Sequence, residues 1–146
     1  MLQGNVFLNH SPYARTVRLS QMSLGTSSLR HQAISNNISN VDTPHYKRKM
    51  ITFESELNRV IAKEKAPPIP FKITSTRHLP PEDPKHYYDV TSNILEEYDT
   101  NYKNDKNNVD IEKEIGDQVK NNLHYGAVTT IMTNSFGRFR SVLARA

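Results

Sequence analysis

From Asp110 to Arg145 the apolar residues recur at helical spacing without a break. This run constrains the fold more than any other feature of the chain. Ile111, Ile115, Val119 and Leu123 make one stripe, which Tyr125, Val128, Met132, Phe136, Phe139 and Leu143 continue at helical spacing. Asp110 is suited to cap the helix start, and Glu112 and Glu114 stand in the first turn, where the helix dipole favours anions. Arg138, Arg140 and Arg145 stand near the far end, where it favours cations. A helix over residues 110–144 would run about 52 Å at the standard rise per residue. A chain of 146 residues, 36% of them apolar, has too small a core to cover such a helix. Part of the seam is therefore expected to meet another molecule.

A second long helix is announced by Ser11-Pro12, a preferred cap followed by the residue best tolerated at the first helical position. Leu19, Met22, Thr26, Leu29 and Ala33 follow at alternating steps of three and four, the seam spacing of paired helices, with Leu24, Ile34 and Ile38 beside them. Gly25 and the Ser/Thr residues around it weaken this helix. It has to stop before Pro44, which restricts Thr43 to extended backbone. The run Asn36-Asn37-Ile38-Ser39-Asn40-Val41-Asp42-Thr43-Pro44 predicts a tight turn bonded through its own side chains, with Ile38 and Val41 as anchors. Phe53, Leu57, Val60 and Ile61 then mark a short helix with Thr52 as its cap. Six prolines between residues 67 and 84 break up the next segment, where Phe71-Lys72-Ile73-Thr74 is the one strand-like piece.

The expected fold is mainly α, one domain over residues 1–146. A helix over 11–40 and a helix over 109–145 pair as an antiparallel coiled coil. Leu19, Met22, Leu29 and Ala33 meet Tyr125, Val128, Met132 and Phe136. Residues 41–65 hold the turn and short helix, and 66–108 a loop-rich insertion with a short β-hairpin at most.

The chain has no cysteine, which excludes thiol catalysis, disulfides and thiolate zinc sites. His78, Glu82, Asp83, His86 and Asp89 are broken by prolines and lack the rigid support a metal needs. No nucleophile elbow or phosphate loop occurs, and no glycine lies between residues 25 and 116. No enzyme activity, cofactor or metal is expected. Lys47-Arg48-Lys49 reads as a solvated or subunit-facing strip rather than a nucleic-acid site. No apolar run is long enough to cross a bilayer. Met1–Leu8 lacks the features of a cleavable secretory signal, so none is expected. Charge alternates along the chain. Eleven Lys/Arg face four Asp/Glu over residues 1–81, four face eleven over 82–117, and residues 118–146 carry four basic residues and no acidic one. Such a pattern suits segments or subunits that lie against one another.

The run Ala33-Ile34-Ser35-Asn36-Asn37-Ile38-Ser39-Asn40-Val41-Asp42-Thr43-Pro44-His45-Tyr46-Lys47 resembles the N-terminal signature of the flagellar axial proteins, the rod, hook and hook-associated family. His45 stands where that family typically has Gly. Phe53–Leu57, Ile73–Leu79, Asn108–Glu114, Asn121–Tyr125 and Phe139–Leu143 are similar to segments of its proximal rod members. The resemblance implies a structural subunit of the flagellar basal-body rod, self-assembling through its terminal helices to transmit motor torque to the hook. It implies export without a cleaved signal to a place outside the cytoplasmic membrane. The implied partners are further copies, other rod proteins, the adaptor FliE and the export apparatus, with no nucleic acid and no membrane insertion. Asn36, Asn37, Asn40, Val41, Thr43, Pro44 and Tyr46 are then the signature turn, whose asparagines set the subunit's tilt. Leu19, Met22, Leu29, Ala33, Ile38, Tyr125, Val128, Met132, Phe136, Phe139 and Leu143 are the pairing and assembly residues. The other reading from the residues alone is a non-flagellar helical adaptor that binds one protein partner through the same seam.

Overall fold

The structure is a computed structural model that describes residues 11–65, 86–98 and 105–144. Among the described residues the elements are α1 (Pro12–Ser39), β1 (Lys49–Thr52), α2 (Glu54–Lys65), a 3-10 turn (Tyr87–Asp89), β2 (Asn93–Glu96) and α3 (Ile111–Leu143). The chain divides into two compact units, one of residues up to Ile51 and from Ile94 onward, the other of Thr52–Asn93.

The first unit is built on α1 and α3. Ser11 takes the extended backbone of a cap and Pro12 begins the helix, but the serine side chain makes no capping bond. Asp110 caps α3 through its carboxylate, which accepts from the N–H groups of Glu112 and Lys113. At 33 residues α3 is about 50 Å long. The two helices run antiparallel. Asn37 bonds Glu114, Ser27 lies level with Asn121 and His124, and Tyr13 stacks on Phe139.

The seam between them is polar. α1 buries Ser20, Thr26, Ser27, Ala33, Ile34 and Asn37, and α3 buries Glu114, Asn121 and Val128, three positions seven residues apart. Of the residues expected at the pairing, Ala33 and Val128 are buried, and Leu19, Met22, Ile38 and Met132 are half-buried. Leu29, Tyr125, Phe136, Phe139 and Leu143 are exposed. The stripe read as continuous along α3 also divides. Ile111, Ile115, Val119 and Leu123 lie exposed on the side turned away from α1. The cause is Glu114, which is held inward by Arg48 and Asn37 and so sets the rotation of α3.

In the second unit Phe53, Val60, Tyr87 and Val90 are buried, and Leu57 and Ile61 half-buried. Thr52 ends β1, so the helix cap falls one residue later than predicted. The Phe53 carbonyl accepts the Leu57 N–H at 2.9 Å. Glu64 holds the 3-10 turn by accepting the Tyr87 N–H at 3.2 Å. β1 and β2 form an antiparallel two-stranded sheet. One strand precedes the insertion expected over 66–108 and the other lies within it, and Phe71–Thr74 lies outside the described residues.

Gly126 lies in the middle of α3, and a Cβ added there meets nothing within 4 Å. Gly126→Ala should therefore stabilise the isolated chain by about 1 kcal/mol, because glycine gives up more backbone entropy in a helix. Thermal melting followed by circular dichroism is expected to show a rise of a few degrees, and a fall would mean that the position is not the open helical site described.

Candidate functional site: a polar clasp and an open apolar face

The turn that leaves α1 is bolted to the start of α3 by buried polar side chains. Asn37, at the last turn of α1, is wholly buried. Its Nδ2 donates to the Lys49 carbonyl at 2.9 Å and to Glu114 Oε2 at 3.1 Å. Its Oδ1 accepts the Lys49 N–H at 2.9 Å and the Tyr46 hydroxyl at 3.3 Å. The amide thus uses its full capacity, two donors and two lone pairs, and offers Lys49 the bonds a neighbouring strand would.

Asn107 does the same for the turn itself. Its Nδ2 lies within 3.0 Å of the carbonyls of Asn40 and Val41 and 2.8 Å from that of Thr43. Its Oδ1 accepts the Val109 N–H at 2.8 Å. Asn108 accepts the Arg48 N–H and donates to the Glu97 carbonyl. Within the turn, Asn40 donates to the Asn36 carbonyl, and Thr43 donates to Asn40 through both its N–H and its hydroxyl. The Tyr46 N–H reaches the Thr43 carbonyl at 3.3 Å. Asn36, Asn37, Asn40, Val41, Thr43 and Tyr46 are therefore brought together, with Pro44 exposed at the tip. His45 takes a φ of 61°, the left-handed backbone for which glycine is suited, while its N–H donates to the Asp105 carbonyl.

Arg48 closes the clasp, and its burial departs from the reading of residues 47–49 as a solvated or subunit-facing strip. Its side chain is buried and bonds the wholly buried Glu114 through Nε, Glu97 at 3.3 Å and Asp117 at 3.0 Å. Burial works against the guanidinium charge, but the bonds and charges of Glu114 and Glu97 outweigh it and raise its pKa. Burial, with the charges of Glu114 and Glu96, likewise raises the Tyr46 pKa and keeps its hydroxyl a donor. Arg48, Asn107, Asn108 and Glu114 were not foreseen as site residues. The one sequence signal was the Asn107-Asn108 pair set two residues before the Asp110 cap, as Asn36-Asn37 is set two residues before the end of α1.

Away from the clasp the unit presents apolar surface. Ile111, Ile115, Val119 and Leu123 form a ridge along α3, from 44% exposed at Ile111 to 71% at Leu123. At the other end, Pro12, Tyr13, Thr16, Ile131, Asn134, Ser135 and Arg138 line an open groove of about 460 Å³. Tyr13 stacks on Phe139 there with ring centroids 5.2 Å apart. The seam between the two ends is thin, and the buried Asn121 Oδ1 has no partner among the described residues. The described residues hold no cluster of three metal-ligating side chains, and none of their helices is long and apolar enough to cross a membrane. Of the proline-broken cluster, His78, Glu82 and Asp83 lie outside the described residues, while His86 sits 3.1 Å from Glu64.

Two substitutions probe the clasp. Arg48→Met leaves the Glu114 carboxylate buried without its cation, and is expected to cost about 3–5 kcal/mol in urea unfolding. Adding Glu114→Gln removes the stranded charge but keeps an acceptor for Asn37, so the double variant should recover more than half of the loss. Equal losses in the single and double variants would refute the pairing. His45→Gly should instead stabilise the chain, by about 0.5–1 kcal/mol in the same measurement, by relieving left-handed backbone at a side chain that is exposed.

No family model matches the chain. Known proteins do resemble it along nearly their whole length. It is 36% identical over 124 residues to the flagellar basal body rod protein FlgB of Borrelia hermsii, covering 85% of this chain and 92% of that protein. It is 34% identical over 131 residues to FlgB of Borreliella burgdorferi, 90% and 97% of the two chains. To FlgB of Bacillus subtilis it is 29% identical over 133 residues, 91% and 96% of the two. With relatives 36% and 34% identical that match over nearly their whole length, the chain belongs to the FlgB family of flagellar basal body rod proteins.

Proposed function

We propose that this structural rod protein assembles through α1 and α3 with further copies and with other rod proteins, and that the assembled shaft carries motor torque to the hook. The adaptor FliE and the export apparatus are its other proposed partners, and it reaches the basal body by export without a cleaved signal. Its work in this reading is mechanical, with no catalysis and no cofactor. One observation carries it: the seam inside the chain is polar, while large apolar side chains of α3 are exposed. Monomers rarely expose contiguous apolar surface of this kind unless it meets a partner.

The signature turn has a mechanical part in the same reading. Asn36, Asn37 and Asn40 fix the angle at which the chain leaves α1, and with it the tilt of the subunit. The pairing and assembly set divides by function. Ala33 and Val128 close the pair, with Leu19, Met22, Ile38 and Met132 at its edges. Leu29, Tyr125, Phe136, Phe139 and Leu143 are left for neighbours.

Sedimentation of the purified chain over a range of concentrations tests this. The expected result is open-ended growth, with particle length rising under negative-stain microscopy, and a marked loss of growth in a Leu123→Ser/Phe136→Ser variant. A chain that stays monomeric at every concentration, alone and mixed with other rod proteins, would overturn it. A complex that stops at one partner would favour a helical adaptor instead.

A further inference from the structure

The two-stranded sheet has one edge that is closed and one that is open. The Glu97 N–H donates to the Arg48 carbonyl at 3.0 Å, so these residues face each other across the sheet. Because the strands are antiparallel, Lys49 then lies opposite Glu96, Met50 opposite Leu95 and Ile51 opposite Ile94. Along each strand the main-chain groups point alternately to one side and the other. Lys49 points away from β2, and there Asn37 takes both its N–H and its carbonyl. By the same alternation Ile94 and Glu96 direct their N–H and carbonyl groups away from β1. No hydrogen bond among the described residues reaches these four groups. The open edge also carries apolar side chains on both faces of the strand. Ile94 is 62% exposed and Leu95 48%, and successive side chains point to opposite faces. Proteins commonly guard such an edge with lysine or proline, and Asn93–Glu96 has neither. Glu96, exposed, is the one charged residue of the strand.

We propose that the outer edge of β2 is a docking site for an extended segment of another protein, which joins the sheet as a third strand. The spacing of the groups on Ile94 and Glu96 matches a peptide main chain, so the occupant is a polypeptide in extended form. Its side chains follow from the strand it meets. On its inner side β2 already has Lys49 opposite Glu96, with Met50 and Ile51 opposite Leu95 and Ile94. The outer strand repeats that pattern, a basic residue facing Glu96 and apolar ones facing Leu95 and Ile94, and each such pair adds to the main-chain bonds. A second copy of β2 does not supply it, because residues 86–98 contain no lysine or arginine. β1, which has Lys49, is engaged on both sides by β2 and Asn37. The contact is separate from the exposed apolar side chains of α3 and does not depend on how the helices assemble.

The probe is a fluorescein-labelled heptapeptide with lysine, valine and isoleucine at its centre between threonines. Titrated with the full chain and followed by fluorescence anisotropy, it should bind saturably. The same peptide N-methylated at lysine and isoleucine, the two amides that would face Glu96 and Ile94, should bind about tenfold more weakly or less. Ile94→Pro removes an outward N–H and no bond to β1, so it should weaken binding to the same extent while the helical circular dichroism stays unchanged. Glu96→Lys should weaken binding several-fold and favour a peptide with glutamate in place of lysine. Hydrogen exchange read by mass spectrometry should show residues 93–97 gaining protection when the unmodified peptide is added. The Leu123→Ser/Phe136→Ser variant should bind the peptide as the unaltered chain does, so that loss of assembly and loss of docking are read apart. Absence of saturable binding would overturn the proposal. Equal binding of the N-methylated peptide would also overturn it, and that comparison leaves the protein itself untouched. Protection of residues 93–97 that rises with the concentration of the chain alone would put a second copy on the edge, and would overturn it as well.

Discussion

The buried pairing of Arg48 with Glu114 sets the geometry of everything else in the helical unit. A carboxylate with no exposed surface has to be matched by a cation and by hydrogen bonds, or its burial is too costly to tolerate. Glu114 has both, from Arg48 and from Asn37. That requirement fixes the rotation of α3 about its own axis and its level against α1. It also ties the residues that lead into β1 to both helices, Lys49 through Asn37 of α1 and Arg48 through Glu114 of α3. Ion pairs of this kind are modest contributors to net stability, so what this one supplies is a single arrangement rather than strength.

The rotation has an inverted consequence for polarity. In a self-sufficient helix pair the apolar stripes face each other, whereas here serines, threonines and asparagines share the inner seam with few apolar residues. Serine and threonine hydroxyls in both helices return their bonds to the carbonyl four residues back, as Thr26 does to Met22 and Thr129 to Tyr125, so they cross the seam rarely. The apolar side chains are left outside. A helix pair of this build is held at one end by the clasp and offers its adhesive surface to other molecules along its length.

The helices were legible in the sequence because apolar periodicity, Pro12 and the Asp110 cap are local signals. The C-terminal boundary, the antiparallel pairing and the turn before Pro44 followed from them. What periodicity could not reveal was which side of α3 faces inward. That choice depends on Arg48 and Glu114, 66 residues apart, and on polar side chains such as Asn107 and Asn108 that composition assigns to surface loops. His45 was legible as a departure from the family's glycine, but not that the backbone keeps the left-handed conformation regardless; the Asp105 carbonyl that holds its N–H is 60 residues further on.

The antiparallel strands bring the chain back to the place from which it departs. Thr52 leaves and Asn93 returns side by side, and the residues between them form a unit of their own. Closing a longer loop between fixed ends costs only about 0.6 kcal/mol for each doubling of its length. Lengthening the interval between Thr52 and Asn93 would therefore add little to the cost of closing it.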